Sequence, residues 1–390
     1  MRIAMFSTDF PLVPPFFQKQ PPRSWWGGVS KVTYKLALGM AERGHEVDIF
    51  ATNPLSRRQD IPKGTLNLHL YPADFRLGQT YVSLAYLASR PRARPDVVHA
   101  HDGSPPGLIA GWVCSRRLKV PLVITFHAEL FLGNRAPAAA LLLNSFARLE
   151  QQILKESRSI IALTEHAKRS SKALSRWQSK VTVIPNGVDT AFHPPPSSKL
   201  LAKAKLGISP NTKVCLFVGT LNARKGIDIL LEAAALVPMA TPVVFTIVGQ
   251  YWGGRNSVGP KVTKLRAEGR ARLEGFVEDV EIQSYFQAAD VLVIPSRLEG
   301  FPLTILDGFA AALPIVASNI GPHREIIHDG ENGILFEAGD AQDLATKIET
   351  ALSDSALAKK LSDNSFDSSK RFGWTRVLDE TERIFIQAAG

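Results

Sequence analysis

Cysteine is scarce in this 390-residue chain, which has two thiols: Cys114 in GWVCSRR and Cys215 in KVCLFVG. They lie far apart in apolar settings, which argues against a disulfide framework or a thiolate metal site and predicts buried free thiols. Long apolar runs are missing too. The stretch APAAALLL, 136 to 143, falls well short of the roughly 18 residues of a bilayer span, so no membrane-crossing helix is expected. MRIAMFSTDF has only a brief apolar stretch and no small-residue cleavage site after it, so it reads as a first β-strand and the protein is expected in the cytosol. Also lacking are a G-x-G-x-x-G fingerprint at the first strand turn, a helix-turn-helix, zinc-finger or RNA-binding signature, low-complexity tracts and a fixed-period repeat. No dinucleotide fingerprint and no nucleic-acid partner are therefore expected.

What is present is a globular composition, 45% apolar, in a chain long enough for two cores. Charge is unevenly placed. Residues 1–195 hold 25 Lys and Arg against 13 Asp and Glu, a surplus of +12, while the rest holds 21 against 23, a deficit of −2. Such a one-sided field suits an anionic acceptor or an acidic lipid surface, and equally suits a solvated face that only aids solubility.

Short β-rich runs alternate with helical patterns. RIAMFS, EVDIFAT, DVVHAH, PLVITFH, SIIALT and VTVIPN fall in the first half, and VCLFVGT, VVFTIVG, ADVLVIPS and PIVAS in the second. Strands separated by helices predict an α/β protein with parallel, doubly wound sheets. The Pro- and Ser-rich start of FHPPPSSKLLAKAKLGISPN marks a domain boundary. We divide the chain into 1–192, a linker at 193–211, a second domain at 212–370 and a C-terminal helix at 371–390. In open α/β sheets ligands sit beyond the carboxyl ends of the strands, and two such domains make a cleft.

The informative residues follow strands. SRLEGFPLTILDGFAAALPIVAS reads as a loop entering a helix, with Glu299, Gly300 and Phe301 in the loop and Asp307 on the helix. Pro302 suits a first helical position and Pro314 marks the far end, which leaves the N–H groups of Leu303, Thr304 and Ile305 free for an anion such as a phosphate. FVGTLNARKGIDILLEAA places Gly219 and Gly226 around Arg224 and Lys225, two cations that suit a departing diphosphate. Gly27 and Gly28 in WWGGVSK precede an amphipathic helix ending at Gly44 and allow close backbone approach to a ligand. LEGFVED, with Phe276 and Val277, follows a strand and offers backbone groups to a nucleobase.

His99 and His101 in VVHAHDG lack further ligands at metal spacing and read as hydrogen-bonded structural residues. His127, just past the apolar strand of VITFHAEL, is expected to turn a polar tip into the cleft as a sugar-binding group. VIPNGVDTAF closes the first half with a turn at Asn186-Gly187. The aromatic and basic stretches PFFQKQPPRSWW and RLGQTYVSLAYLASRPRAR admit two readings, an anionic membrane surface or acceptor-site loops.

Taken in order, GGVSKVTYKLALGMAERGHEVDIF, DVVHAHDG, ITFH, VIPNGVD, VGTLNARKGIDILLEA, EGFVED, ADVLVIPSRLEGFPLTILDGFA and REIIHDGENGILFEAGD resemble the retaining glycosyltransferases of family 4 over nearly the whole chain. The resemblance implies a GT-B fold, two Rossmann-like domains with acceptor bound mainly by the first and nucleotide sugar mainly by the second. It implies that the C-terminal helix crosses back onto the first domain. Glu299 matches the first acid of the E-x7-E motif, at the donor sugar, and Asp307 the second, at the ribose. Arg224 and Lys225 match the basic pair at the diphosphate, Gly28, Leu303 and Thr304 supply backbone N–H groups, and His127 matches the histidine near the donor sugar. No metal or other cofactor is implied.

Three residues depart from the pattern. Asp307 replaces a glutamate and is shorter by about 1.5 Å of reach. Gly308 stands where alanine is usual, which is expected to open room beside the nucleotide, and Thr220 stands where many members carry arginine. The expected chemistry is transfer of a hexosyl unit from a UDP- or GDP-sugar to a lipid-linked, saccharide or small-molecule hydroxyl by front-face substitution with retention. A GT-B epimerase or phosphorylase is one alternative, and a non-catalytic, membrane-associated nucleotide-sugar binder another.

Overall fold

A computed structural model describes residues 1–10, 16, 28–53, 57–77, 80–103, 105–128, 137–190, 199–238, 242–251 and 259–390. The chain forms two compact units, one of Met1–Asn186 with Thr375–Gly390, the other of Gly187–Trp374. Each is an α/β unit with its own parallel sheet.

The first unit's strands are β1 (Arg2–Asp9), β2 (Glu46–Asn53), β3 (Gln59–Lys63), β4 (Leu66–Pro72), a small hairpin of β5 (Phe75–Leu77) and β6 (Thr80–Val82), β7 (Val97–Asp102), β8 (Leu122–Phe126), β9 (Ser159–Ala162) and β10 (Val181–Val183). Eight of them make one sheet in the order β10-β9-β8-β7-β1-β2-β4-β3, parallel except for the edge strand β3. β7 and β8 are buried at every position, as expected of strands covered on both faces. The helix Trp374–Ala389 belongs to this unit. It is fixed by Arg43, which bonds Asp379 and Glu382 at 2.6 Å each, and by Phe385 set edge-on to the His99 ring.

The second unit contains β11 (Lys213–Val218), β12 (Val243–Val248), β13 (Ala271–Gly275), β14 (Val291–Ile294), β15 (Ile315–Ser318) and β16 (Ile334–Phe336). All are parallel, in the order β13-β12-β11-β14-β15-β16. Alternate side chains of β11 enter two different apolar clusters, Cys215 and Phe217 one and Val214 and Leu216 the other, so this sheet too is covered on both sides. Cys114 and Cys215 are buried free thiols, and burial pushes Cys114 up to about 12.

Several expectations are revised. The stretch assigned to a linker contains the helix Lys199–Lys205, which is built into the second unit: Lys199 and Lys203 both bond Asp290 at 3.0 Å. The chain passes between units at Asn186 and Gly187, and a Cβ on Gly187 would lie 2.6 Å from the Trp374 ring. In the stretch 76–94, read as a surface or acceptor loop, Tyr86 is fully buried and donates to the Ser7 carbonyl at 2.8 Å, whereas Leu84 is exposed. The stretch 15–26 lies outside the described residues apart from Phe16, which is buried. No helix among the described residues is long and apolar enough to cross a membrane.

Asp290 sits where three elements meet, accepting also from the Val214 N–H at 2.9 Å. Lys203 is only 3% exposed, so losing its counterion would strand a buried ammonium. Asp290→Ala is expected to cost about 3 kcal/mol or more in urea unfolding, against a few tenths for the exposed Asp363→Ala.

Candidate active site

The strand order of the second sheet reverses between β11 and β14, and ligands bind beyond the carboxyl ends of strands at such a switch point. Two turns emerge there. After β11, Asn222 accepts the Lys225 N–H on its Oδ1 at 2.9 Å and winds Ala223–Lys225 into a 3-10 turn. Gly226 ends the turn at φ 69°, and a Cβ there would fall 1.9 Å from the Pro295 carbonyl oxygen, so only glycine lets this turn lie against the one after β14. Arg297 clamps the two. Its backbone N–H donates to the Arg224 carbonyl at 2.8 Å, and its guanidinium holds Asp228 at 2.7 and 2.8 Å and the Ala223 carbonyl at 2.8 Å.

That clamp brings Lys225 to Glu299. Lys225 Nζ lies 2.5 Å from Glu299 Oε1, and the Ser296 hydroxyl donates to the same oxygen at 2.7 Å. The Glu299 side chain is 5% exposed. Burial pushes its carboxyl up, but the Lys225 ammonium, with the Arg224 charge and the Ser296 bond, outweighs this and holds it below the usual range. It is a buried acid kept ionised. Behind it His323 is fully buried with Nδ1 2.8 Å from the Ser318 carbonyl, which can only accept, so that nitrogen carries the proton. Burial drives this imidazole down to about 4, against the pull of the Glu299 carboxylate and the Ser318 carbonyl.

The helix after Glu299 runs Leu303–Ala310 with Pro302 as its N-cap, so Pro302 precedes the first helical residue instead of occupying it. Of the three amides expected to be free, that of Leu303 donates to Phe301 O at 3.0 Å and that of Ile305 to Pro302 O at 2.9 Å. Among the described residues Thr304 is the one left to meet an anion. The helix ends at Ala310, four residues before Pro314, where Ala312 at φ 52° lets Leu313 N–H return to the Gly308 carbonyl. Gly308 does not make room for a nucleotide. A Cβ there would lie 2.4 Å from Leu292 Cδ2 and 3.0 Å from Ile315 Cδ1, so glycine lets the helix sit down on β14 and β15. Asp307 is half-buried on the same helix, Gly300 and Phe301 lie in its entry, and Gly219 ends β11 with its N–H on the Val248 carbonyl at 3.0 Å. Phe276, 39% exposed, and Val277 follow β13 at the same end of the sheet.

The predicted histidine belongs to the first unit. His127 follows β8 and is 8% exposed, its Nε2 2.9 Å from His101 Nδ1, while His99 Nε2 meets the Thr125 hydroxyl at 2.7 Å. His99 and His101 are the bonded structural residues expected, but His127 is tied into their column as well. Burial pushes His99 and His127 down to about 3 and His101 well down. On β7, burial and the Glu150 carboxyl push Asp102 well up. Gly28 opens the helix Gly28–Glu42, which Ser30 ties to β1 by donating to Asp9 Oδ2 at 2.7 Å; Gly27 lies outside the described residues.

Two family models match successive stretches of this chain: Glycosyltransferase Family 4 over residues 26–192 and Glycosyl transferases group 1 over 198–367. The chain belongs to glycosyltransferase family 4. It is similar to the D-inositol 3-phosphate glycosyltransferases of Nocardiopsis dassonvillei, 28% identical over 94% of this chain and 91% of the relative, and of Geodermatophilus obscurus, 29% identical over 95% and 87%. Among solved structures, HepE of Anabaena in complex with UDP and glucose matches with a TM-score of 0.75 at 20% identity over 99% of this chain and 100% of that one. The sucrose-phosphate synthase of Thermosynechococcus elongatus matches with a TM-score of 0.77 at 21% identity over 99% and 98%. These likenesses show the fold, GT-B.

Residues that carry the transferase's geometry went unmarked in the sequence: Asn222, Asp228, Pro295, Ser296, Arg297, Ser318 and His323. Only Arg297, two residues before Glu299, had a signal, as a cation inside the acid-bearing loop. Two measurements test this architecture. Gly226→Ala is expected to lower stability by about 2 kcal/mol or more in urea, through both the left-handed φ and the clash with a backbone oxygen. Four buried histidines, His99, His101, His127 and His323, predict acid lability. Their folded values lie below about 6.5, so as pH falls below that the unfolded chain takes up protons that the native one cannot, and stability drops by up to about 1.4 kcal/mol per pH unit per histidine. His127→Gln is expected to make the decline of the urea midpoint between pH 6.5 and 5 shallower by about one proton.

Proposed function

We propose that this enzyme transfers a hexosyl group from a nucleoside-diphosphate sugar to an acceptor hydroxyl, with retention at the anomeric carbon. The observation that carries the reading is the Lys225–Glu299 pair at the switch point, 2.5 Å apart with Arg224 beside it. An ionised acid placed next to two cations suits a ligand with a sugar at one end and a diphosphate at the other. The UDP and UDP-glucose complexes of HepE support a UDP-sugar as donor. The relatives' D-inositol 3-phosphate, together with the +12 surplus over residues 1–195, supports a small phosphorylated or saccharide acceptor.

In this reading Lys225 and Arg224 meet the diphosphate with the Thr304 N–H at the helix start, and no metal ion is assigned a part. Glu299 binds the sugar's hydroxyls and balances positive charge on its ring. The bond from the anomeric carbon to the phosphate oxygen breaks while the acceptor oxygen bonds that carbon on the same face. The acceptor's proton passes to the departing phosphate, whose growing charge the cations stabilise. Retaining glycosidases instead set two carboxylates about 5 Å apart; Glu299 here has a lysine and a serine as its partners, so front-face substitution is the simpler scheme. His127 is assigned to the donor sugar and Asp307 to the ribose, with Phe276 and Val277 at the base and Gly28, Gly219, Gly300, Phe301 and Leu303 along the donor.

Glu299→Gln is expected to lower kcat by about a hundredfold or more while UDP affinity stays within a few-fold, and Lys225→Ala to weaken both. Unchanged turnover in Glu299→Gln, measured as UDP release from UDP-sugars, would sink the assignment, and an inverted product anomer would sink the retention.

A further inference from the structure

Glu299 is held from behind as well as from the side. Three buried groups join end to end. His323 Nδ1 donates to the Ser318 carbonyl at 2.8 Å, with Ser318 Oγ 3.3 Å from the same nitrogen; the Ser318 hydroxyl donates to the Ser296 carbonyl; and the Ser296 hydroxyl donates to Glu299 Oε1 at 2.7 Å. Ser296 is 1% exposed and Ser318 and His323 are fully buried. The chain runs from the short helix Gly321–Arg324 through the end of β15 and the second residue after β14 to the carboxylate.

Each link has its direction fixed by chemistry. A carbonyl accepts only, so the imidazole must donate from Nδ1 and the Ser318 hydroxyl must give its proton to Ser296 O. Ser296 is then held while its own hydroxyl points to Glu299. Both Ser296 and Lys225 take Oε1, so among the described residues Oε2 is the oxygen left to meet a ligand.

We infer that His323 is a positioning residue for Glu299, acting through Ser318 and Ser296 to select which carboxylate oxygen is presented to the sugar. The inference rests on the role proposed above for Glu299. His323 does not touch the donor in this account. Its buried Nε2 has no partner among the described residues and is therefore the atom that separates this account from its rival, direct contact with a ligand.

The test is UDP release from UDP-glucose by the full chain, with kcat and KM measured separately. Asparagine keeps a donor at the place of Nδ1 and glutamine keeps a polar atom at the place of Nε2. His323→Leu and Ser296→Ala are expected to lower kcat about tenfold, the rate equivalent of one misplaced hydrogen bond to a charged group, with KM within twofold. His323→Asn is expected to recover most of the loss and His323→Gln not to. Recovery by glutamine in place of asparagine, a change in KM alone, or wild-type kcat in Ser296→Ala overturns the inference. Ser296→Ala removes one oxygen, so it decides the matter if a His323 variant does not fold. Glu299→Gln is the control: if it keeps full turnover the functional reading has failed, whereas a dead Glu299→Gln beside a fully active His323→Leu fails the relay alone.

Discussion

The turn after β11 lies against the turn after β14 backbone to backbone, and the second unit's ligand end depends on that approach. A side chain at Gly226 would occupy the place of the Pro295 carbonyl oxygen. With the two turns in contact, one arginine can span them: Arg297 bonds the backbone of both Ala223 and Arg224 and forks onto Asp228. Lys225 then reaches Glu299 across 74 residues of chain without any freedom to spend on finding it. The chemistry is thus set by close packing of main chain first and by side-chain charge second.

Buried ionisable groups are treated in two opposite ways, and the second unit shows both. Glu299 stays charged because a lysine and a serine meet it directly and the Arg224 charge adds to theirs, a sum larger than the cost of burial. His99, His101, His127 and His323 stay neutral because their neighbours are carbonyls, hydroxyls and one another, and among the described residues nothing of opposite charge is bonded to them. For a transferase this is a useful division. The charge sits where a sugar and a diphosphate are proposed to lie, and the imidazoles are neutral, hydrogen-bonded groups that carry no charge to attract or repel a diphosphate.

Much was legible along the chain because its cause is local. Ten strands announce themselves as apolar runs, β13 as the strand expected before LEGFVED, and the acid-bearing helix by the loop and proline before it. The strands that were missed have equally local reasons: β3 is an exposed edge, β5, β6 and β16 have three residues each, and β4 reads as a mixed run of LNLHLYP. The helix Lys199–Lys205 hid behind its Pro- and Ser-rich lead-in. Gly308 was misread for a different reason: a glycine on a helix looks the same in sequence whether it faces a ligand or a sheet, and only the positions of Leu292 and Ile315 decide.

The sequence by itself determined the alternation of strands and helices, the family, and the identity of Glu299, Arg224 and Lys225 as groups with the right charge in strand-end loops. Periodicity and spacing encode those, since each depends on residues a few positions apart. Only the tertiary structure decided that Lys225 is Glu299's counterion, that two of the three helix-start amides are already engaged, and that His323 stands behind the site. The first depends on β14 pairing with β11 and the last on β15 pairing with β14, pairings that bring together residues whose separation along the chain carries no signal, while the amides turn on the backbone path of the helix entry.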